Sequence, residues 1–335
     1  MRLGKMTVWV TILTLILGGV LEGAARTWGP QLLPPDKSKD VAPGEALPGE
    51  PNMIGDALVG WRVKEGDNRQ FGVPEMTHVN SRGLRNPEIP FESNEEHRIL
   101  IVGDSSIYGV RVRDKENISG QLERIIAKRE DNWRVLNAGC PGYSSWQVIR
   151  LLDERLLDYQ PEWLIIGTLW SDTQGAEAPD ATRYGKVPMA WKYHSRLYMV
   201  SQVWYNKWKY TPADAPDVGF GLGPVLAPTN RVPLSDYRRN LRIMVEMAQE
   251  RDIKVAFLLL PGVHDTINGT TGDFREGYRE VMRDTAKQYG APIADMPQYF
   301  MNGDARKLFF DDVHPKVIGY RMIAQELDTV MFNQE

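Results

Sequence analysis

Short, continuous apolar runs alternate with amphipathic segments along most of this sequence. The first run, 98–102, has no polar residue after its opening arginine, as expected of a strand that is buried on both faces. Comparable runs follow at 134–136, 163–166, 255–260 and 292–294. Helical segments lie between them, and this alternation predicts a three-layer α/β/α fold around a parallel sheet of about five strands. Ligands of such folds gather at the carboxyl ends of the strands.

The segments between the apolar runs carry the signals that start and end helices. Asn117 is a good helix cap, and Ser144 with Gln147 matches a capping box. Gly290 is suited to the end of a helix, and Pro315 is suited to a first helical turn. The predicted helices run from Asn117, from Ser144 to about Tyr159, from Ser235, from about Phe274 to Tyr289, and from Pro315.

Residues 1–28 are typical of a segment for export or membrane attachment. Arg2 and Lys5 precede an apolar run, Met6–Leu21, that would rise about 24 Å as a helix, against the ~30 Å hydrocarbon core of a bilayer. Small residues at 23–25 suit a signal peptidase, whereas Glu22 is unusual in a cleavage region. We expect an uncleaved signal anchor, with a cleaved signal peptide and a secreted protein as the alternative. The basic N-terminal flank places the rest of the chain outside the cytoplasm, in the periplasm or the extracellular space.

Composition divides the rest of the chain. Residues 29–75 are interpreted as a linker and lead-in segment, because the stretch 29–51 is rich in proline and charge and cannot pack a core. Residues 76–335 are interpreted as the α/β domain, with an insertion at about 173–233. Aromatic side chains in the insertion pack into a core by default, and stacking on sugar rings is the alternative. They are Trp191, Tyr193, Tyr198, Trp204, Tyr205, Trp208 and Tyr210.

Charge and cysteine content exclude several classes of function. A net charge of -4 and an isoelectric point near 5.9 give no positive field for DNA or RNA, so we predict no nucleic-acid partner. Cys140 is the only cysteine, which excludes an internal disulfide and a multi-cysteine metal site. We interpret it as a small buried residue. Four histidines are scattered without metal-site spacing, so we predict no metal and no other cofactor. They are His78, His97, His194 and His264.

Ser105 directly follows the first predicted strand, at the edge where ligands bind. A serine hydroxyl is a weak nucleophile that needs a base, a group to orient that base, and donors for the oxyanion. Asp311 and His314 are three residues apart in a loop before the last helix, so the carboxylate can orient an imidazole that faces Ser105. Asp312 is the rival orienter, and Ser106 is expected to matter much less than Ser105.

The order and context of these blocks resemble the SGNH hydrolases, also called GDSL-type lipases and esterases, from about residue 99 to 327. Gly103-Asp104-Ser105 matches the nucleophile block of that family, and Asp311 to Pro315 matches its final Asp-x-x-His-Pro. The segment 137–142 resembles the second block, in which the Gly142 position serves the oxyanion hole through its backbone N–H. The family's third block is Gly-x-Asn-Asp, and Ser171 stands here in the place of its asparagine.

The resemblance implies a flavodoxin-like domain of the SGNH hydrolase type. It implies a serine esterase with Ser105 as nucleophile, His314 as base and Asp311 as orienter, acting on an ester or O-acyl substrate such as an O-acetylated carbohydrate. The implied oxyanion hole consists of Ser105, Gly142 and Ser171. An acyltransferase to a polysaccharide uses the same residues, and a catalytically impaired carbohydrate-binding scaffold has the same fold. The apolar N-terminal helix and the segment 80–85 resemble membrane-associated members of this class.

Overall fold

The computed structural model describes residues 2–28, 41–68, 77–91, 96–130, 132–176, 178–184, 229–266 and 275–332, and single positions between 195 and 205. The chain divides into two compact units. The larger unit contains 37–173, 218–222 and 232–335, and the smaller contains 1–36, 174–217 and 223–231. Residues 29–40 of the predicted linker and most of the predicted insertion lie outside the described residues.

The N-terminal segment is a single helix, α1 (Arg2–Trp28), which belongs to the smaller unit. Residues 10–27 are long and apolar enough to cross a membrane, and none of this stretch is buried. The apolar helix expected from the sequence is therefore present. Its length and composition suit a signal peptide as well as a membrane anchor.

Residues 41–68 form strands, although the sequence favoured a linker and lead-in segment there. Strands β1 (Ala46–Leu47), β2 (Glu50–Asp56) and β3 (Gly60–Val63) make an antiparallel sheet. Strand β4 (Gly66–Asn68) pairs with β5 (Thr77–Val79). The alternation of buried apolar residues starts only at Met53, after the proline-rich stretch, which is why composition alone did not reveal this sheet.

The five apolar runs form a parallel sheet, as predicted. In chain order the remaining strands are β6 (His97–Gly103), β7 (Trp133–Gly139), β8 (Trp163–Gly167), β9 (Gly175–Ala176), β10 (Thr229–Asn230), β11 (Lys254–Leu259) and β12 (Ile293–Asp295). The sheet has the order β12-β11-β8-β6-β7, which is the flavodoxin-like order. Strands β9 and β10 pair with each other in the smaller unit.

Helices cover the sheet in two groups. In chain order the helices after α1 are α2 (Ser105–Tyr108), α3 (Ile118–Ile126), α4 (Ser145–Leu151), α5 (Asp180–Tyr184), α6 (Leu234–Gln249), α7 (Glu276–Tyr289), α8 (Pro297–Phe300), α9 (Ala305–Leu308) and α10 (Val317–Phe332). Helix α3 packs against α10, while α6 packs against both α4 and α7. These groups are the outer layers of the α/β/α fold, and α5 belongs to the smaller unit.

Two predicted caps are present. The side chain of Asn117 accepts the Gly120 N–H at the start of α3, and Ser144 and Gln147 form the capping box of α4. Helix α4 is shorter than predicted, because a π turn and a 3-10 turn replace it from Leu152 to Tyr159.

Two predicted helix starts are wrong. Helix α6 begins at Leu234 with Pro233 in the cap position, so Ser235 lies inside the first turn. Helix α10 begins at Val317, because Pro315 is extended and forms an isolated β-bridge with Phe309. That bridge holds the loop before α10 against the preceding chain.

Candidate functional site

Three loops leave the carboxyl edge of the sheet side by side. Gly103 at the end of β6 is paired with Gly139 of β7 and with Gly167 of β8. Residues shortly after these glycines therefore belong to one region of the larger unit. The site residues predicted in these loops are Ser105, Gly142 and Ser171.

Ser105 begins the short helix α2 directly after β6. Asp104 caps this helix, because its Oδ1 accepts the N–H of Ser106 at 2.9 Å. Asp104 and Ser106 are fully buried, whereas Ser105 is partly exposed. A first-turn N–H has no acceptor within its own helix, and no acceptor for the Ser105 N–H occurs among the described residues. Ser105 thus presents a hydroxyl and an uncommitted N–H at the edge of the sheet.

A chain of hydrogen bonds connects Ser105, His314 and Asp311. Nε2 of His314 lies 2.8 Å from Ser105 Oγ, and its Nδ1 lies 2.8 Å and 2.9 Å from the two carboxylate oxygens of Asp311. Oδ1 of Asp311 also accepts the main-chain N–H groups of Val313 and His314. An ionised carboxylate at Nδ1 favours the tautomer that carries its proton there, which leaves Nε2 to accept the proton of Ser105.

The electrostatics of Asp311 suit this arrangement. Partial burial acts to raise its pKa, but the hydrogen bond from His314 and the electrostatic attraction of that residue outweigh burial and lower the pKa of Asp311 to about 2. Arg111 adds a cation 3.5 Å from Asp311 Oδ2. The carboxylate therefore stays ionised at neutral pH.

The two rival residues lie elsewhere. Ser106 Oγ donates to the main-chain oxygen of Val313 at 2.9 Å, so this side chain ties α2 to the loop of His314. The main-chain oxygen of Asp312 accepts the Val263 N–H, and its Oδ1 is buried without a hydrogen-bond partner in the described part of the chain. Burial, with the charge of Asp311 second, raises the pKa of Asp312 to about 6. Asp311 is the carboxylate that contacts His314.

Asp104 organises two of the loops, a role that the sequence did not reveal. Its Oδ2 accepts the main-chain N–H groups of Trp170 and Ser171 at 3.0 Å and 3.3 Å, while Oδ1 serves Ser106. Burial raises the pKa of Asp104 to about 6, against the lowering effect of these bonds and of His314. A buried carboxylate therefore joins the loop after β6 to the loop after β8. The only feature of the sequence that pointed to Asp104 was its position between Gly103 and Ser105.

The loop that contains Gly142 is fixed by β3. Trp61 Nε1 donates to the Pro141 oxygen at 3.1 Å, and the Tyr143 hydroxyl donates to the Trp61 oxygen at 2.7 Å. Gly142 has a φ of +81°, and a Cβ there would press on the Trp61 ring at 3.2 Å. The positive φ therefore favours glycine, and any larger residue would also need the Trp61 ring to move by a few tenths of an ångström. Strand β3, which composition alone did not predict, therefore holds the loop that contains Gly142.

Ser171 lies in the loop after β8, and it is buried. No hydrogen bond of its hydroxyl occurs among the described residues, and its N–H donates to Asp104. Asp172 has a different role, because its Oδ1 accepts from both the N–H and the hydroxyl of Ser145, at 2.9 Å and 2.5 Å. The Ser145 hydroxyl in turn accepts from Asn240 Nδ2. Asp172 thus attaches the loop to α4 and α6.

The segment 80–85 supports the site from behind. The Arg85 guanidinium donates to the main-chain oxygens of Tyr108, Gly109 and Val112 at 2.8 Å, 2.5 Å and 2.7 Å. Its Nε donates to Asp114 at 2.7 Å. This buried side chain fixes the end of α2 and the turn after it. The hydrogen bonds of Arg85 thus serve the structure of the domain.

The other candidate residues lie outside this arrangement. Cys140 is buried, and burial raises its pKa to about 12, as expected of an inert core thiol. His78 pairs with Asp67 and His97 with Glu162. His264 lies in the 3-10 turn Val263–Thr266, and His194 is outside the described residues. Within the described ranges, no group of three or more histidine, cysteine, aspartate or glutamate residues could hold a metal ion.

Comparisons with known proteins give structural neighbours only. No protein-family model matches the sequence, and no curated protein matches it. The structure is similar to an acetyl xylan esterase, AlAXEase, with 14% identity over 70% of this chain and 100% of that chain and a TM-score of 0.47. It is similar to the acetylxylan esterase Axe2 of Geobacillus stearothermophilus, with 16% identity over 73% and 97% and a TM-score of 0.47. A lipase/acylhydrolase from Enterococcus faecalis has 15% identity over 69% and 93% and a TM-score of 0.45.

Proposed function

We propose that this chain is a serine esterase in which Ser105 attacks an ester carbonyl. The observation that carries the proposal is the unbroken chain of hydrogen bonds from the Asp311 carboxylate through His314 to Ser105 Oγ. A structural serine does not require a histidine whose second nitrogen is bonded to a carboxylate. The same constellation on unrelated folds activates a serine for acyl transfer.

The geometry supports a two-step reaction. His314 Nε2 accepts the Ser105 proton as Oγ bonds to the carbonyl carbon, and the carbonyl oxygen becomes an oxyanion. His314 then gives this proton to the departing alcohol oxygen, which leaves an acyl-serine. Water attacks the acyl-serine by the same route and releases the acid and free Ser105. Asp311 keeps the imidazole oriented and stabilises its protonated form throughout.

The N–H groups of Ser105 and Gly142 are the proposed oxyanion donors, with the Ser171 hydroxyl as the third. Support for the first is its lack of an acceptor among the described residues. Support for the second is the positive φ that fixes the Gly142 peptide in the neighbouring loop. Ser171 is the weakest of the three, because its hydroxyl is shorter than the side chain of the asparagine it replaces.

We propose an O-acyl carbohydrate, such as an O-acetylated polysaccharide, as the substrate class. The aromatic content of the insertion, together with the proposed location outside the cytoplasm, supports this class, because aromatic rings can stack on sugar rings. Transfer of the acyl group to a sugar hydroxyl uses the same residues and differs in how well the site excludes water. A non-catalytic carbohydrate-binding scaffold would lack an activated serine.

We also propose that α1 anchors the protein in a membrane and that the larger unit of the protein lies outside the cytoplasm. Exposed apolar side chains occur all round the helix instead of along one stripe, as suits a helix surrounded by lipid. They include Val10, Leu13, Leu15, Ile16, Leu17, Val20 and Leu21.

Labelling with a fluorophosphonate tests the reaction without knowledge of the substrate, because the probe reacts with activated serines. Wild type should label and should hydrolyse p-nitrophenyl acetate. Ser105→Ala should abolish labelling and lower kcat by about 10⁴-fold or more. Ser106→Ala is the matched control, since it loses only the bond to the Val313 oxygen, and it should keep labelling.

Equal labelling of wild type and Ser105→Ala would refute the assignment of the nucleophile. Absence of labelling in a folded wild type would favour the scaffold. A labelled protein that consumes the ester only when a sugar hydroxyl is supplied would be an acyltransferase.

A further inference from the structure

Glu22 directly follows the apolar run of α1, and its carboxylate accepts hydrogen bonds from another part of the smaller unit. Its Oε2 accepts the Ser195 hydroxyl at 2.8 Å and the Leu197 main-chain N–H at 2.9 Å. Its Oε1 pairs with Arg26 Nε at 2.9 Å. The Glu22 side chain is 23% exposed, whereas that of Arg26 is 61% exposed. Glu22 is thus a docking point between α1 and the insertion.

The contact bears on the fate of α1. A signal peptidase acting at the small residues 23–25 would remove Glu22 together with the apolar run. Ser195 and the Leu197 N–H would then lose the acceptor that they have in this structure. The contact therefore favours retention of the helix.

Two aromatic residues further along the insertion, Trp204 and Tyr205, are exposed to the solvent. Trp204 and Tyr205 are helical, and they are 59% and 48% exposed. Tryptophan and tyrosine concentrate at the interface between a membrane and water, where an apolar ring lies beside a polar N–H or O–H group. Ser195 and Leu197 are bonded to Glu22, the first charged residue after the apolar run 6–21 and a residue in the C-terminal third of the stretch 10–27 that could cross a membrane, so this contact lies near one end of a spanning helix.

We propose that α1 and four described residues of the insertion, Ser195, Leu197, Trp204 and Tyr205, belong to one membrane-interface element, in which Glu22 holds Ser195 and Leu197 and the two aromatic side chains enter the headgroup region of the bilayer. The occupant is lipid, because the apolar side chains of α1 are exposed on all sides and a second protein chain would cover only one. The inference rests on the membrane anchor proposed above. It does not depend on the reactivity of Ser105.

A fluorophore attached at Tyr205→Cys tests this inference in the full-length protein. The label is an environment-sensitive thiol reagent, and the protein is reconstituted in phosphatidylcholine vesicles that contain nitroxide lipids. Cys140 is buried with a raised pKa, so the introduced cysteine is the reactive one. Tyr299→Cys is the matched reference, because Tyr205 and Tyr299 are both 48% exposed.

Most of the fluorescence at position 205 should be lost when the nitroxide is near the headgroups, with little loss at position 299. Glu22→Ala should reduce the loss at 205 while the protein stays in the membrane after a carbonate wash. Glu22→Gln keeps one acceptor oxygen and should retain part of the effect. Trp204→Cys offers a second labelling site if Tyr205→Cys does not fold.

Two outcomes would overturn the inference. One is a mature chain that begins near Arg26, which would show that α1 and Glu22 are removed. The other is equal quenching at 205 and 299 in a protein that retains Met1 and the membrane. Fluorophosphonate labelling of the same samples reports the esterase proposal separately, since it follows Ser105 alone.

Discussion

The loops after β6 and β8 start from paired glycines and share one buried carboxylate, yet their serines are in different surroundings. Ser105 Oγ, in the first loop, is bonded to His314, which is bonded to Asp311. Ser171, in the second loop, is held through its main chain by Asp104, and its hydroxyl has no hydrogen bond within the described ranges. The first loop has a complete route for a proton. The second offers a short side chain whose proton can rotate.

This difference separates two requirements of acyl transfer. Activation of the nucleophile needs an aligned serine, base and orienter, and all three are aligned here. Stabilisation of the oxyanion needs fixed donors, and in the proposed site it would depend mainly on the N–H groups of Ser105 and Gly142. We therefore expect an enzyme with a well-formed proton relay that is slow on simple esters.

Among the variants that test this comparison, Asp311→Asn should have the largest effect on kcat. The asparagine keeps the size of the side chain but cannot hold the Nδ1–H tautomer of His314 as an ionised carboxylate does, so kcat should fall by about 10⁴-fold. Asp312→Asn is the matched control, because Asp312 makes no hydrogen bond to His314 in the described part of the chain. This variant should lower kcat by less than about tenfold. Steady-state kinetics on p-nitrophenyl acetate measure both. A larger loss in Asp312→Asn would reverse the assignment of the orienter.

An intermediate effect is expected from Asp104→Asn, which acts on both loops at once. One amide oxygen cannot replace two carboxylate oxygens, so either Ser106 or the pair Trp170 and Ser171 loses its acceptor. We expect kcat to fall by about 10²-fold with little change in KM, because the displaced groups act in the transition state. A rise in KM at constant kcat would show that Asp104 shapes substrate binding instead.

The same variant gives a pH signature. Burial raises the pKa of Asp104 to about 6 from an ordinary value of 3.8, so folding favours the protonated form. The stability that this group contributes is present at low pH and is lost as the pH rises through about 6. The free energy of unfolding of wild type, minus that of Asp104→Asn, should be larger at pH 5 than at pH 8 by about 1 kcal/mol. Chemical denaturation at the two pH values measures this difference, and a constant difference would contradict the shifted pKa.

The sequence predicted the sheet well, and it singled out the residues of the proposed relay, because both follow from local patterns. Apolar runs mark strands that are buried on both faces, and all five predicted runs are strands. Asp311 and His314 are three residues apart, so their contact depends on one turn of the chain. Their meeting with Ser105 follows from a parallel sheet, in which functional residues collect at one edge.

The features that were missed depend on contacts between distant parts of the chain. The bonds from Asp104 to Trp170 and Ser171 span more than sixty residues and use main-chain N–H groups, which every residue type but proline has. The support of the Gly142 loop by Trp61 comes from a sheet next to a proline-rich stretch. Pro315 failed for a more local reason, since its preference for the first helical turn was overridden by an isolated β-bridge to Phe309 in the same loop.

The smallest effect, and the one that tests the comparison most directly, is expected from Ser171→Asn. The asparagine amide reaches further than the serine hydroxyl and donates without a rotating proton. Because the Ser171 main chain is already held by Asp104, the new side chain starts from a fixed backbone. We expect kcat on p-nitrophenyl acetate to rise about tenfold with little change in KM, as for an interaction made chiefly in the transition state.

Ser171→Ala distinguishes a weak third donor from a good one. If the hydroxyl contributes little, Ser171→Ala should be nearly neutral while Ser171→Asn is faster. A lower kcat in Ser171→Ala together with a neutral or harmful Ser171→Asn would mean that the serine already fills the role, and the second loop would then be as complete as the first. If neither substitution changes kcat while Ser105→Ala abolishes it, Ser171 lies outside the oxyanion site. The Ser105 and Gly142 N–H groups would then have to stabilise the oxyanion without it, because the neighbouring carboxylate of Asp172 has no proton to donate when it is ionised.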